Sequence, residues 1–298
     1  MGETTVGATD MGEVLYRGYD RAGLDAQYDN RAKVPGFEEY NARRETLSEE
    51  ALATYDCHLE VPYGPSAAER LDVFPAGRQA PVQVFFHGGY WMRHDKRDYD
   101  FIARAFVPAG AAFVNVGYGL VPSVSLDELV RQCRAALTWV WRNADSFGGD
   151  RMRIFASGNS AGGHLAAMMA TTDWPAFDAD LPADLITGTC GISGIYDLEP
   201  IRLCFLNDTL GVGPGEVARL SPIALEPRGA SATLLAVGDR EGPEFVRQAE
   251  DLAAAWRHRG AQADVRVLAG IDHFSILVEL EDPASALSRA IHAQMGLA

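Results

Sequence analysis

From residue 81 onward the chain alternates short apolar runs with longer amphipathic stretches. The runs are Val82–Phe86 (VQVFF), Ala112–Val116 (AFVNV), Met152–Ala156 (MRIFA), Ile186–Ile192, Thr233–Val237 (TLLAV) and Val265–Leu268. Between them, helical periodicity runs over about Tyr99–Val107, Leu126–Phe147, Gly162–Thr172, Glu244–Arg259 and Phe274–Gln294. Continuous apolar runs separated by helices predict an α/β protein, with a mostly parallel central sheet buried under helices on both faces. Upstream, residues 20–54 are polar and helix-prone and break near Pro35-Gly36, which reads as two short helices. Asp56–Pro62 alternates polar and apolar positions, and Leu71–Phe74 is a short β-like run. After the sixth strand, between Leu198 and Arg228, the alternation lapses into a Gly/Pro-containing insertion of the kind that shapes a substrate pocket. No linker, repeat or low-complexity tract divides the chain. The expectation is one domain over 1–298, with about 1–55 as a helical segment over the site and about 198–228 as the insertion.

Composition narrows this picture without changing it. With 47% hydrophobic and 22% charged residues, the 298-residue chain reads as an ordinary globular protein able to bury a large core. The net charge of −15, from 41 acidic against 26 basic residues, repels phosphates and anionic lipid surfaces. Nucleic acid and membrane are therefore not expected partners, and a small molecule is. The four cysteines are scattered without paired spacing, and the first residues lack the basic-then-apolar pattern of a signal peptide. A reducing, cytoplasmic setting follows as the expectation. Oligomeric state stays open between a monomer and a homodimer.

The sharpest chemical signal is Gly158-Asn159-Ser160-Ala161-Gly162, a G-x-S-x-G between the strand-like MRIFA and the helix that follows. That setting makes it a nucleophile elbow: the turn is tight, so small residues must flank the serine. The serine also sits at a helix N-terminus, where the dipole favours developing negative charge. A plain capping serine is the competing reading, and the strand-to-helix context weighs against it.

Directly after VQVFF comes His87-Gly88-Gly89-Tyr90-Trp91. Glycines let a backbone approach a substrate oxygen, so the N–H groups of Gly88 and Gly89, with that of Ala161, are the expected oxyanion-hole donors. Tyr90 and Trp91 are expected to line the pocket, whereas His87 reads as a structural histidine that fixes the loop. A serine needs a general base oriented by a carboxylate. Of the seven histidines, only His258, His273 and His292 lie beyond the candidate acid loop. His258 and His292 read as surface residues, leaving His273 as the base. The acid loop offers both Asp239 and Glu241. No metal-ligand spacing or dinucleotide loop occurs, and no cofactor is expected.

At these residues the sequence resembles the α/β-hydrolase superfamily, and within it the kynurenine formamidase (arylformamidase) branch and related small carboxylesterases. The HGGYW loop, GNSAGGHLAAMM around Ser160, Ser193–Pro200, Leu206-Asn207-Asp208, Ser221-Pro222 and Asp272-His273-Phe274 carry the likeness over roughly residues 20–295. The resemblance implies Ser160 as nucleophile, His273 as base and Glu241 as acid, with Asp239 the alternative. Two positions depart from the family pattern: Glu241, where Asp is usual, and Asn159, where His often precedes the serine. Asn159, Tyr196 and Phe274 join Tyr90 and Trp91 as expected pocket residues. The implied function is hydrolysis of a small formamide, amide or ester through an acyl-enzyme. The alternatives are a general short-chain or aryl carboxylesterase, a carbamate hydrolase and, more distantly, an inactive hydrolase scaffold that binds a ligand.

Overall fold

The computed structural model describes residues 13–229 and 231–297. Eight strands form one sheet: β1 (His58–Pro62), β2 (Arg70–Phe74), β3 (Ala80–Phe86), β4 (Ala112–Val116), β5 (Gly149–Asn159), β6 (Gly188–Ile192), β7 (Ala232–Gly238) and β8 (Ala263–Leu268). Their order is β1-β2-β4-β3-β5-β6-β7-β8, antiparallel at β1/β2 and β2/β4 and parallel from β4 onward. All seven residues of β3 are buried. Alternate residues serve opposite faces. Val82, Val84 and Phe86 join the core beneath helices Leu126–Asn143, Ala161–Ala170 and Pro243–His258. Phe85 joins the core beneath the Lys96–Phe106 segment and helix Ala286–Met295. A strand covered on both faces has no polar face to keep, which is why it reads as a mostly apolar run, its one polar side chain, Gln83, being buried with its Nε2 donating to Ser157 Oγ.

The helical expectations need four corrections. Tyr99–Val107 is not one α-helix. It is a 3₁₀ turn over Lys96–Ile102, capped by Asp95, that leads into a single α-turn over Ala103–Phe106. Phe274–Gln294 is also broken, into a 3₁₀ turn at Ser275–Leu280 and a helix at Ala286–Met295. Pro283 lies between them, unable to donate a helical hydrogen bond, and Ser285 starts the second helix by accepting from the Ser288 N–H. The α-helix from Leu126 ends at Asn143 and continues as a 3₁₀ turn over Ala144–Phe147. At the N-terminal side, three helices (Arg21–Tyr28, Asn30–Lys33 and Phe37–Thr54) stand where two were expected, and the break before the third is at Pro35-Gly36. Gly36, at φ +80°, makes that turn.

The parallel strands β3, β5, β6, β7 and β8 end at one edge of the sheet, where His87, Ser160, Ser193, Glu241 and His273 follow within a few residues. Among the described residues no helix is long and apolar enough to cross a membrane.

Candidate active site

The β5 strand ends at Asn159, and helix Ala161–Ala170 begins two residues later. The chain makes this reversal through Ser160 at φ 57°, ψ −117°, a conformation uncommon for a residue with a side chain. Two glycines permit it: a Cβ at Gly158 would lie 2.2 Å from the Gly162 carbonyl oxygen, and one at Gly162 would lie 1.9 Å from that of Phe86. The Ser160 N–H donates to the Ile192 carbonyl at 2.8 Å, tying the turn to β6. Its Oγ then stands 3.0 Å from His273 Nε2.

His273 comes from the loop after β8, and its Nδ1 lies 2.6 Å from Glu241 Oε2. The other carboxylate oxygen, Oε1, accepts from the Gly238 N–H at 2.7 Å and from Ser193 Oγ at 2.6 Å. Glu241 is buried and Phe245 packs against His273 at 4.8 Å, so both rotamers are held. Asp239 has a different place: it is exposed, and its carboxylate accepts the Gly270 N–H, joining the loops after β7 and β8. Of the two acids the sequence offered, the structure brings Glu241 to the histidine.

The loop after β3 lies against the serine. A Cβ at Gly88 would sit 3.3 Å from Ser160 Cβ, and one at Gly89, which is at φ +110°, would collide with the Arg93 carbonyl oxygen at 2.2 Å. Among the described residues the N–H groups of Gly89 and Ala161 donate to no protein acceptor, whereas the neighbouring Met92 and Arg93 amides both donate to the Gly89 carbonyl. The Gly88 N–H is directed at the Tyr99 hydroxyl. Free donors beside a serine are what a developing oxyanion needs. His87 is fully buried; its Nδ1 lies 2.8 Å from the Gly88 carbonyl, and its ring stacks on Tyr118 at 4.1 Å. Burial pushes its pKa down to about 4, so the ring is a neutral strut for the loop.

A pocket of about 220 Å³ opens over Ser160 and His273, with Gly89, Tyr90, Asn159 and Phe274 on its wall. Trp91 and Tyr196, expected on that wall, are instead in the core. Trp91 is fully buried because its Nε1–H donates to Nδ1 of buried His164, whose Nε2–H reaches the Leu220 carbonyl. Tyr196 is buried against Gly191 and Gly194, positions that leave room for its hydroxyl. Part of the remaining wall comes from the N-terminal helical segment, through Tyr28, Asp29, Asn30, Arg31 and Arg44, and the rest from Arg93, His94 and Tyr99 after β3 and from Phe205, Leu206 and Leu277. Sequence reasoning named none of those from the helical segment, and polar helices of this kind carry no motif. Ser193 was also missed. It follows a strand just as Ser160 does, and that position was the available signal. Among the described residues no three metal-ligating side chains converge.

A mostly parallel sheet with a strained serine at the end of its fifth strand, facing a histidine and a carboxylate from later strand ends, defines the α/β-hydrolase class. The BD-FAE family model matches residues 71–202. A crystal structure from Silicibacter sp. TM1040 superposes with a TM-score of 0.80 at 30% identity, covering 90% of this chain and 98% of that one. The hyperthermophilic esterase of Pyrobaculum calidifontis shares the fold at a TM-score of 0.71 and 21% identity, covering 93% and 98%. The kynurenine formamidase of Danio rerio is 32% identical over 257 residues, 84% of this chain and 85% of its own length. The chain belongs to the kynurenine formamidase family and is a hydrolase.

Proposed function

We propose that this protein hydrolyses a small N-aryl formamide or a short carboxylic ester by two-step acyl transfer, with Ser160 as nucleophile, His273 as general base and Glu241 as the orienting acid. The observation that carries this reading is the continuous relay Ser160 Oγ–His273 Nε2 (3.0 Å) and His273 Nδ1–Glu241 Oε2 (2.6 Å) at the floor of the pocket. Glu241 holds the Nδ1–H tautomer, so Nε2 presents a lone pair to the serine. As Oγ bonds to the carbonyl carbon, its proton passes to Nε2 and the carbonyl electrons become an oxyanion, held by the N–H groups of Gly89 and Ala161. The C–N or C–O bond then breaks while His273 returns the proton to the leaving amine or alcohol. Water attacks the acyl-serine with His273 again taking a proton, and the acid departs as Ser160 regains its hydrogen.

A pocket of about 220 Å³ suits a one-ring substrate, since drug-sized ligands occupy roughly 300–1,000 Å³. The relatives named kynurenine formamidase favour the formamide, and the esterase reading remains the second class of substrate. The whole chain acts as one domain, and its four unpaired cysteines fit a reducing, cytoplasmic setting. The test compares wild type with Ser160→Ala on N-formylkynurenine and on a 4-nitrophenyl short-chain ester. The variant is expected to lose activity by a factor on the order of 10⁶ while folding normally. Equal turnover by the two proteins would overturn the nucleophile assignment.

A further inference from the structure

A second histidine, His94, lines the pocket over Ser160 and has no part in the relay proposed above. Its backbone is left-handed at φ 71°, a conformation that a residue with a side chain keeps only when its surroundings hold it. The ring lies against the loop after β3: a Cβ at Gly89 would be 2.8 Å from His94 Cδ2, the carbon bonded to Nε2. On its far side, Nδ1 lies 3.0 Å from Asp98 Oδ2. Burial acts to raise the Asp98 carboxyl, but the hydrogen bonds from His94 and the Asp95 N–H outweigh it and hold the group below its usual range. Asp98 is therefore an ionised acceptor at neutral pH, and the ring's hydrogen sits on Nδ1. The neutral ring then turns a lone pair outward at Nε2. Among the described residues no group donates to that nitrogen.

Asn30 repeats this pattern from the N-terminal side of the same pocket. Tyr90 Oη donates its only proton to the Tyr28 carbonyl at 2.6 Å, so it must accept from Asn30 Nδ2 at 2.9 Å. That fixes the Asn30 amide with Oδ1 unbonded, on a residue only 4% exposed. Both free groups are acceptors, and an acceptor buried without a donor is costly. An ammonium ion is a poor candidate for the missing donor, because Arg31, Arg44 and Arg93 line the pocket against Asp29. A hydroxyl fits both demands. It donates to one of the acceptors while its oxygen accepts from a guanidinium, which an amide nitrogen cannot do.

Resting on the hydrolase reading above, we propose that this pocket selects substrates bearing a hydroxyl group, with His94 Nε2 as the specificity-determining acceptor and Asn30 Oδ1 as a second one. The test uses matched pairs of esters in which a methoxy group, which only accepts, replaces the hydroxyl. The 3- and 4-hydroxyphenyl acetates against their methoxy counterparts place the hydroxyl in the leaving group. 4-Nitrophenyl 3-hydroxybutyrate against 4-nitrophenyl 3-methoxybutyrate places it in the acyl part. Rates are taken at pH 7, where a phenol is un-ionised, and referred to spontaneous hydrolysis of the same ester. In at least one pair, wild type should prefer the hydroxyl in kcat/KM by about fivefold, the usual effect of one neutral hydrogen bond. His94→Phe keeps a ring and removes the acceptor, so it should erase most of that preference; a purely structural role would lower both members of the pair alike. Asp98→Asn covers the case in which phenylalanine does not fold at this backbone conformation. Its amide would donate to Nδ1 and move the ring's hydrogen to Nε2, turning the acceptor into a donor, and the ratio should fall at least as far. A fall in either folded variant supports the proposal. Absence of a hydroxyl preference in every pair, or a ratio unmoved in both variants, overturns it. If Ser160→Ala abolishes hydrolysis of the methoxy esters, the hydrolase reading survives that failure; if hydrolysis persists, that reading falls as well.

Discussion

The two walls of the pocket are built in opposite ways. On one side, the strand ends supply Ser160, His273, Glu241 and Ser193, each bonded to the next in a continuous chain and backed by the sheet. On the other, helices of residues 21–54 supply Asn30 and Arg44, whose polar atoms are left with free valences or neutral partners. The side chains of the first wall are held by one another without a ligand, as those of a preorganised reaction centre should be. The second is incomplete without one, as a recognition surface is. On the proposed reading, the reacting groups come from the sheet and part of the pocket wall from the segment that precedes it.

The largest expected effect comes from breaking this chain at the acid. In Glu241→Gln, Oε1 would keep its donors from Ser193 and Gly238, and the amide NH₂ would face His273 Nδ1. The ring would then carry its hydrogen on Nε2 and could not accept the serine proton. The same exchange in a serine protease triad costs a factor on the order of 10⁴ in kcat, and a similar loss is expected here with KM little changed. Asp239→Asn serves as the control, because Asp239 only accepts the exposed Gly270 N–H. It should leave kcat within about twofold, in keeping with surface substitutions. A larger loss in Asp239→Asn than in Glu241→Gln would reverse the assignment of the acid.

A second effect separates the histidines that hold the strand-end wall from the one proposed to react. His87 and His164 are fully buried, and desolvation lowers both pKa values from 6.5 to about 4. Between those pH values the unfolded chain binds more protons than the folded one. Stability is therefore intact above pH 6.5 and falls as pH drops toward 4, by about 3 kcal/mol per histidine. Urea unfolding at pH 7 and pH 4.5 measures this. His164→Gln should flatten the pH slope by roughly half of the two-histidine effect. An unchanged slope in that variant would mean that other groups govern acid unfolding.

How much of this was legible follows the same division. The strand-end wall was readable because its chemistry is written in backbone constraint: GNSAG and HGG place small residues where the chain must turn tightly or approach closely. The loops holding Glu241 and His273 were found by their order after two apolar runs. The residues alone left Glu241 and Asp239 open and the family resemblance favoured Glu241; in the structure the two side chains of that loop point to different partners, Glu241 to His273 and Asp239 to Gly270. Trp91 and Tyr196 were misread because aromatic residues near a motif look alike whether they face a pocket or, as here, meet His164 and a pair of glycines in the core. The helical wall was invisible. Asn30 and Arg44 lie in polar helices whose sequence resembles any solvated surface, and only their burial distinguishes them. Pro283 was legible and overlooked, and it cost the continuous helix expected over Phe274–Gln294.

The smallest expected effect tests whether the two walls are independent. Lys33, on the helical side, is largely buried, and its Nζ donates to the Glu241 carbonyl at 2.9 Å and to that of Gln27. It also lies over the Phe245 ring at 5.6 Å, beneath His273. This ammonium is the direct polar tie between the N-terminal helices and the backbone that presents the acid. Lys33→Met keeps the aliphatic bulk and removes the donor. The loop after β7 retains the Asp239 N–H to Leu268 and Arg240 N–H to Ile271 bonds, so it should loosen rather than collapse. A loss of about tenfold in kcat, with KM for a neutral ester unchanged, is expected from one charge-assisted hydrogen bond. Stability should move less than activity, because burial lowers the Lys33 pKa from 10.5 to about 8 and so already opposes folding at neutral pH. Between pH 8 and 10.5 the unfolded chain binds the extra proton, so wild-type stability should gain from rising pH in that window and the variant should lack the gain. A rise in KM with kcat intact would put Lys33 in the recognition wall, whereas no change in either would show that the two walls work without this tie.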